Sequence, residues 1–522
     1  MSSTFTGVYV ARSGIQNARA NLRVTGQNIT NVNTKGYTRQ RVQSNAIPAS
    51  GINMRYANGV PSVGEGVEFA GIDQIRNPFL DVRFREEHAK NGKADTMLNT
   101  LNDISNILDE STKDGINAQF NDLLTHLNNL ASKPWDYNNE NLVKTSSMIL
   151  TKALNNASVQ LENIRKQQTD TFKGCDIPKV NNLLKNIAHL NQEIKSSDIS
   201  GNTALELVDQ RNVMIDELSQ YVNIEVSSKN VDIGAGRRVS EMSINLVSGD
   251  KKFNLIDHNQ FNEFSLDKDV NLELKNSDGK SVTADDGKST LTNSDITQGI
   301  FSGHLTMLNE KGEYDTTKGT ERGIGYYQNV LDKFASEFAK VMNTSNSTNA
   351  DGNNKPLFTT ADGETTGITA GNISISDTWN KSTSSYITCS KNAGESGVDT
   401  SKQGDNIFYM ISQLKQSNTY KTDDKNETGN TLFTTSLSSY ISDVSVSVLA
   451  LQTNDISRQN ATFNATLNEI DTQRNSISSV DIDEEGINLI MFNKALTASS
   501  RFMTTLDEAL DTIINKMGII GR

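Results

Sequence analysis

The sequence predicts an α+β protein, elongated and multi-domain, in which a helical coiled-coil framework built from both chain termini carries a β-rich insert at its centre. Three observations predict it. Heptad stripes mark both ends of the 522-residue chain. The apolar period changes from helical to alternating near Val222 and returns to helical near Ile324. Core formers are sparse, with 35% hydrophobic and 6% aromatic residues and a mean hydropathy of -0.51, which suits helical layers with much wetted surface. A chain of this length has room for about three or four domains.

The first stripe is Val8, Ala11, Ile15, Ala18, Leu22, Thr25, Ile29 and Val32, at steps of three and four. Its alanines and Gly14 let another backbone approach closely; a glycine inside a helix costs about 1 kcal/mol relative to alanine, which tight packing offsets. The second stripe is Leu489, Phe492, Leu496, Ser499, Met503, Leu506, Leu510, Ile513 and Met517, with Gly518 placed as a helix stop. Asp481 to Glu485 precede it, and acids suit a helix start because the macrodipole is positive there. One such stripe equally describes the buried face of an ordinary core helix. Two, at opposite ends, point to seams through which copies assemble.

Helical periodicity dominates the first half between these ends. Leu98, Leu101 and Leu108 mark one helix; Phe120, Leu123, Leu124 and Leu127 a second; Val143, Leu150, Leu154, Ala157, Leu161 and Ile164 a third. A fourth runs from about Val180 to Ile194, and a fifth from Leu205 to Leu218 after the break at Ser200-Gly201-Asn202. In that fifth helix Asp209 and Arg211 stand two apart, so they cannot face each other, and each needs a partner in neighbouring termini or loops. From Val222 to Val226, Met242 to Val247 and Val270 to Leu274 the chain alternates apolar with polar, as half-buried strands do. A helix resumes near Ile324, a Gly/Asn/Thr/Ser-rich stretch follows, and from Ile407 the pattern is helical to the end. The expected division is 1–65 with 478–522 as terminal coiled-coil assembly segments, and 66–221 with 318–345 and 405–477 as a helical core domain. The β-rich insert is 222–317, and 346–404 is a small second insert or a long loop.

The formal net charge of -13 argues against nucleic acid, whose phosphates need clustered Lys and Arg. Its distribution is uneven. Residues 1–64 carry Arg12, Arg19, Arg23, Lys35, Arg39, Arg41 and Arg55 with no acid, whereas 481–522 carry seven acids against four bases. The ends are electrostatically complementary, although two unrelated solvated faces would read the same way. No stretch reaches the roughly 18 apolar residues of a membrane span, so no membrane partner is expected, and no cleaved signal peptide is seen. Cys175 and Cys389 lack CxxC spacing and indicate neither a disulfide framework nor a zinc site. The histidines are far apart in sequence, and there is no phosphate loop, nucleophile elbow or dinucleotide fingerprint. The expectation is no cofactor, no metal, no catalytic residue and no enzyme.

The stretch Gly26-Gln27-Asn28-Ile29-Thr30-Asn31-Val32-Asn33-Thr34-Lys35-Gly36-Tyr37 reads physically as a helix end, with Asn side chains capping backbone groups and Gly36 allowing a sharp exit. It also resembles the N-terminal motif of the flagellar rod, hook and hook-associated family, whose usual form is Ser-Asn-Asn-Ile-x-Asn, a short spacer and Gly-Tyr. Asn28, Asn31, Gly36 and Tyr37 match; Gly26-Gln27-Asn28 departs from the first triplet. Ser479 to Glu485 is similar to the family's C-terminal motif. Leu207-Val208-Asp209-Gln210-Arg211 resembles the mid-chain Leu-x-Asp-Gln-Arg-Asp signature of the first junction protein between hook and filament, with Asn212 where the family has Asp.

The resemblance implies a structural subunit exported unfolded through the flagellar type III apparatus and resident outside the cell. It implies loosely ordered termini that become the inner coiled-coil layer of a hollow helical ring. The implied partners are copies of itself, the hook protein, a second junction protein (hook-associated protein 3) and a cytoplasmic export chaperone on the C-terminal helix. Other axial subunits remain as alternatives: hook-associated protein 3, a flagellin, or a hook or distal-rod protein. A secreted hydrolase carried in the central insert is a further alternative from a different class, and Asp285 with Asp286 alone does not make one.

Overall fold

A computed structural model describes residues 4–48, 64–108, 115–234, 237–248, 251–282, 290–315, 321–347, 355–392, 403–422 and 430–516. Met517, the helix stop at Gly518, Asp285 and Asp286 lie outside these. The chain is mostly helical with small antiparallel sheets, a mixed α+β fold.

Helix α1 (Thr4–Thr30) is followed by the hairpin β1 (Gln40–Ala46) and β2 (Val67–Gln74), paired antiparallel with a bulge after Gln43. Helix α2 (Pro78–Ile107) starts on an Asn77 cap with proline at its first position, where a missing N–H is harmless. Helices α3 (Ile116–Ser132) and α4 (Tyr137–Thr171) pack on each other, and a π segment, Phe172–Asp176, leads into α5 (Ile177–Ser200) and α6 (Leu205–Tyr221). Gly201 ends α5 at φ 82, the left-handed geometry that glycine adopts without strain.

The strands β3 (Ile224–Gly234), β4 (Arg237–Ser248), β5 (Lys251–Asp257) and β6 (Gln260–Phe261) form one meander, in that order. Strands β7 (Glu263–Leu266), β8 (Leu272–Lys275) and β9 (Thr290–Leu291) form a second. On β4 the alternation buries Met242, Ile244 and Leu246 on the face that meets α5. Within the stretch read as β-rich, 222–317, lies a helix, α7 (Ile300–Asn309). It is buried on every side from Phe301 to Leu308, and a segment wrapped in core shows no amphipathic period to read.

Helix α8 (Ile324–Asn346) anchors the core. Phe334 and Phe338 meet Phe120 of α3 edge-on, with ring centroids 5.7 Å apart in both pairs. Phe358 then connects Phe338 to Trp379, at 4.8 and 6.1 Å. The Gly/Ser/Thr-rich stretch thus includes a packed element: the hairpin β10 (Phe358–Thr360) and β11 (Ile373–Ile375), followed by the short α9 (Asp377–Asn380). The carboxylate of Glu140, buried on α4, holds this element by accepting from Trp379 Nε1, Ser385 Oγ and the Tyr386 and Ile387 amides. Helix α10 (Asp405–Lys415) follows. The expectation of unbroken helix after Ile407 is corrected by the hairpin β12 (Asn418–Lys421) and β13 (Thr431–Thr435), whose Thr and aromatic residues favour strands over helix. Helix α11 (Leu437–Ser442), a π segment (Asp443–Leu449) and α12 (Ala450–Ser478) then run back along α2 to α13 (Ile482–Asp511).

Both cysteines are free thiols. No helix described is long and apolar enough to cross a membrane. Among the described residues no group of three or more His, Cys, Asp or Glu is placed to hold a metal ion.

Candidate functional site at the joint of the chain ends and the core

Helices α1 and α13 pack side by side. Gly7 lies against Leu506 and Gly14 against Ser499, so seven residues forward on one helix are seven back on the other, and the two run antiparallel. A Cβ on Gly14 would sit 2.9 Å from the Ser499 Oγ, so glycine there lets the two helices approach closely. The structure places Val8, Ile15, Leu22, Ile29 and Val32 half-buried and Ala11 and Ala18 fully buried. On α13, Phe492, Leu496, Met503, Leu506 and Leu510 are half-buried. Leu489 and Ile513, read as members of the same seam, are instead exposed, at 38% and 47%. At 100° per residue they fall to either side of the line that faces α1. Thr25 of the stripe is buried together with Val24 and Asn28, which the stripe did not single out, on a second face of α1 that backs onto the hairpin β1–β2.

The motifs quoted from three distant parts of the chain meet at the foot of this helix pair. Asn28 is buried and fully engaged: its Nδ2 donates to the Gln40 carbonyl at 3.0 Å, and its Oδ1 accepts from the Tyr37 hydroxyl at 2.9 Å and the Gln40 amide at 3.0 Å. Asn31 closes α1 by donating from Nδ2 to the Gln27 carbonyl, while its Oδ1 accepts from the Thr34 hydroxyl. Gly36 turns the chain at φ 79, and a Cβ there would lie 2.1 Å from a methyl of Val213 on α6. Only glycine meets both demands. Burial, reinforced by Glu206, Asp209 and Glu485, pushes the Tyr37 phenol far above its ordinary value.

The next two residues fasten this loop. Thr38 donates to Asp209 through its amide at 3.0 Å and its hydroxyl at 2.7 Å. Burial raises the Asp209 carboxyl above its usual range, against the two Thr38 bonds and the Arg76 charge. Arg39 forks onto both carboxylate oxygens of Glu484 at 2.9 and 2.7 Å, gives Nε to Glu485 at 2.7 Å, and donates its amide to the Ser478 carbonyl. Asp481 caps α13 by accepting from the Asp483 and Glu484 amides. One loop of three residues therefore ties α1 to α6, α12 and α13. Gln210 is exposed and Arg211 is buried, its Nη1 donating to Asn191 at 2.8 Å. Burial lowers the Arg211 guanidinium to about 10.

Sequence reasoning missed the ion-pair network beneath this loop. Asp216 accepts from Arg85 at 2.7 Å and Arg474 at 2.6 Å; Arg474 also reaches Asp81 at 3.0 Å, which pairs with Arg76 at 2.7 Å. The Arg474 guanidinium lies over the Phe84 ring, 4.2 Å from its centroid. Burial works to raise the Asp216 carboxyl, but the two arginines hold it below its ordinary value. The network thus joins α2, α6 and α12 and borders a cavity of about 630 Å³ lined also by Lys35, Gly36, His88 and Val213. Buried charges carry no periodicity, so no pattern along the chain could have found them. What the arrangement supplies is mechanical: hydrogen-bonded and charged fasteners between a terminal helix pair and a core.

A model of the flagellar hook-associated protein FlgK helical domain matches residues 101–358. Flagellar hook-associated protein 1 of Bacillus subtilis is 28% identical over 546 aligned residues, covering 100% of both chains. Its counterpart in Escherichia coli is 28% identical over 219 residues, 42% of this chain and 39% of that one. The solved flagellar hook junction protein FlgK from Burkholderia pseudomallei aligns over 54% of this chain and 45% of that one, at 18% identity and a TM-score of 0.40.

Proposed function

The chain belongs to the family of flagellar hook-associated protein 1, structural components of the bacterial flagellum at the hook–filament junction, and from that premise we propose that it works as a self-assembling adaptor ring. One axial surface of the ring meets the hook protein and the other a second junction protein, hook-associated protein 3. The subunit is exported without a cleaved signal peptide, with a cytoplasmic chaperone on its C-terminal helix, and its place is outside the cell. Its work is mechanical, with no catalytic step.

The observation that carries this reading is the condition of α13. It packs on α1 and on its own terminal turn, and it leaves Ile487, Ile490, Met491 and Phe502 exposed, at 46–67%. A large apolar side chain contributes about 1.5–3 kcal/mol on full burial. Several of them held in water on one helix therefore favour a covering neighbour. The stripes Val8 to Val32 and Leu489 to Ile513 serve as assembly seams in this reading. Asn28, Asn31, Gly36, Tyr37 and Asp209 set the joint that aims them, and Gln210 and Arg211 complete the motif.

Truncation tests it. Removing residues 489–522 should leave a folded core, by circular dichroism and thermal melting, that no longer supports filament attachment in cells lacking the full chain. Retained attachment overturns the proposal. Immunogold label is expected at one point near the base of each flagellum and not along its length.

A further inference from the structure

The charges of the terminal helix pair specify how two copies are offset. On α1 the only charged side chains are Arg12, Arg19 and Arg23, and all are exposed. Their steps of seven and four keep them on one line along the helix. On α13, Asp483, Ile490, Lys494, Arg501 and Glu508 follow at steps of seven, four, seven and seven, so they too share a line, acidic at each end and basic in the middle. The antiparallel register set by Gly7 with Leu506 and Gly14 with Ser499 puts Arg12 at the level of Arg501 and Arg19 at the level of Lys494. The pair therefore carries a positive belt at mid-height. Beyond it, Asp507, Glu508 and Asp511 form an exposed acidic end, about 18 Å along the axis from the belt's centre. None of these bases, and none of the three terminal acids, is in an ion pair within the described residues.

Neighbours standing level with each other would bring belt against belt, and like charges side by side repel. Neighbours shifted by about 18 Å bring the belt of one onto the acidic end of the next. We propose that copies of this chain pack laterally with that offset, the Arg12–Arg19–Arg23 line of one α1 against the Asp507–Glu508–Asp511 end of the next copy's α13. This rests on the self-assembly reading above and adds the partner face and the offset. The two surfaces differ, so the contact is head-to-tail, the kind that generates rings and helices instead of closed dimers.

Cysteine cross-linking tests it in the full chain, with Cys175→Ser and Cys389→Ser, expressed in cells lacking their own copy. The pair Arg19→Cys with Glu508→Cys cannot close within one chain, because the two positions are about 21 Å apart along the helices and a disulfide needs Cα atoms within roughly 7 Å. Mild oxidation of assembled flagella is expected to yield a ladder of dimers and higher multimers. The control pair Arg19→Cys with Lys494→Cys, which reports level neighbours, is expected to remain monomeric. A ladder from the control pair, or none from either pair in cells whose filaments stay attached, overturns the offset and leaves the adaptor reading standing. Filaments attached without this protein would overturn that reading instead. A charge exchange gives a second measure. Arg12→Glu, Arg19→Glu and Arg23→Glu together should lose attachment, and adding Asp507→Lys, Glu508→Lys and Asp511→Lys should restore it; loss without restoration counts against the proposal.

Discussion

Helices α8 and α13 are of comparable length, 23 and 30 residues, and their surroundings differ completely. Helix α8 buries Tyr326, Tyr327, Phe334, Phe338 and Met342 inside the chain, whereas α13 buries a single residue, the charged Glu485. The core is therefore finished by its own sequence. The terminal helix is fixed at its foot by Arg39 and along its length only by a half-covered seam with α1. If assembly uses the exposed side of α13, as proposed, stability and assembly fall to different residues, and substitutions can separate them.

The largest separation is expected from two phenylalanines. Phe334→Ala opens a cavity in a close-packed aromatic cluster and should cost about 3–5 kcal/mol, seen as a lower urea midpoint. Phe502→Ala, on the exposed side of α13, should change the monomer's stability by less than about 0.5 kcal/mol while weakening assembly. If both variants unfold alike, the contrast between the two helices is wrong. Next comes the joint. Arg474→Ala leaves Asp216 and Asp81 each short of a partner in a largely buried network, and breaking such a pair costs about 3 kcal/mol. The loss should appear as faster amide exchange at the facing ends of α2, α6 and α12, with α8 unchanged. Asp209→Ala removes the acceptor of two Thr38 bonds and should cost about 1–3 kcal/mol. Its exchange signature should be confined to residues 28–40 and α6, because the Arg39 clasp to Glu484 and Glu485 remains.

The sequence was legible where a pattern repeats along the chain. Heptad spacing marked α1 and α13, and alternation marked β3, β4 and β8, because each of these elements has one side more covered than the other. The pair Asp209 and Arg211 was legible by exclusion: residues two apart on a helix diverge, and their partners proved to be Thr38 and Asn191. Helix α7 was hidden because core surrounds it. The triad Arg85, Asp216 and Arg474 was hidden because its members come from helices 131 and 258 positions apart in the chain and meet only after folding. Leu489 and Ile513 show a different limit, since a strict heptad drifts around a straight helix and its outermost members leave the contact line.

The smallest expected effect sharpens the comparison through pH. His88 on α2 sits at the joint, its Nδ1 donating to the Asp216 carbonyl oxygen at 3.0 Å, and burial lowers its pKa from the ordinary value despite that bond. A base whose folded value is depressed is held neutral in the fold, so the unfolded chain takes up the proton first. Stability is then complete above about pH 6.5 and declines as pH falls below it. The Asp216 carboxyl, held down by Arg85 and Arg474 against its burial, works in a lower window. Its contribution is present above about pH 3.9 and is lost as pH falls further. Between pH 7 and 5 the joint should therefore loosen through His88 alone, and below pH 4 through Asp216 as well. His88→Gln should flatten the upper slope of stability against pH and leave the acidic step in place. The core around α8, which has no histidine facing its aromatic cluster among the described contacts, should show neither slope in site-resolved exchange. An upper slope that survives His88→Gln would assign the pH response to some group other than this joint.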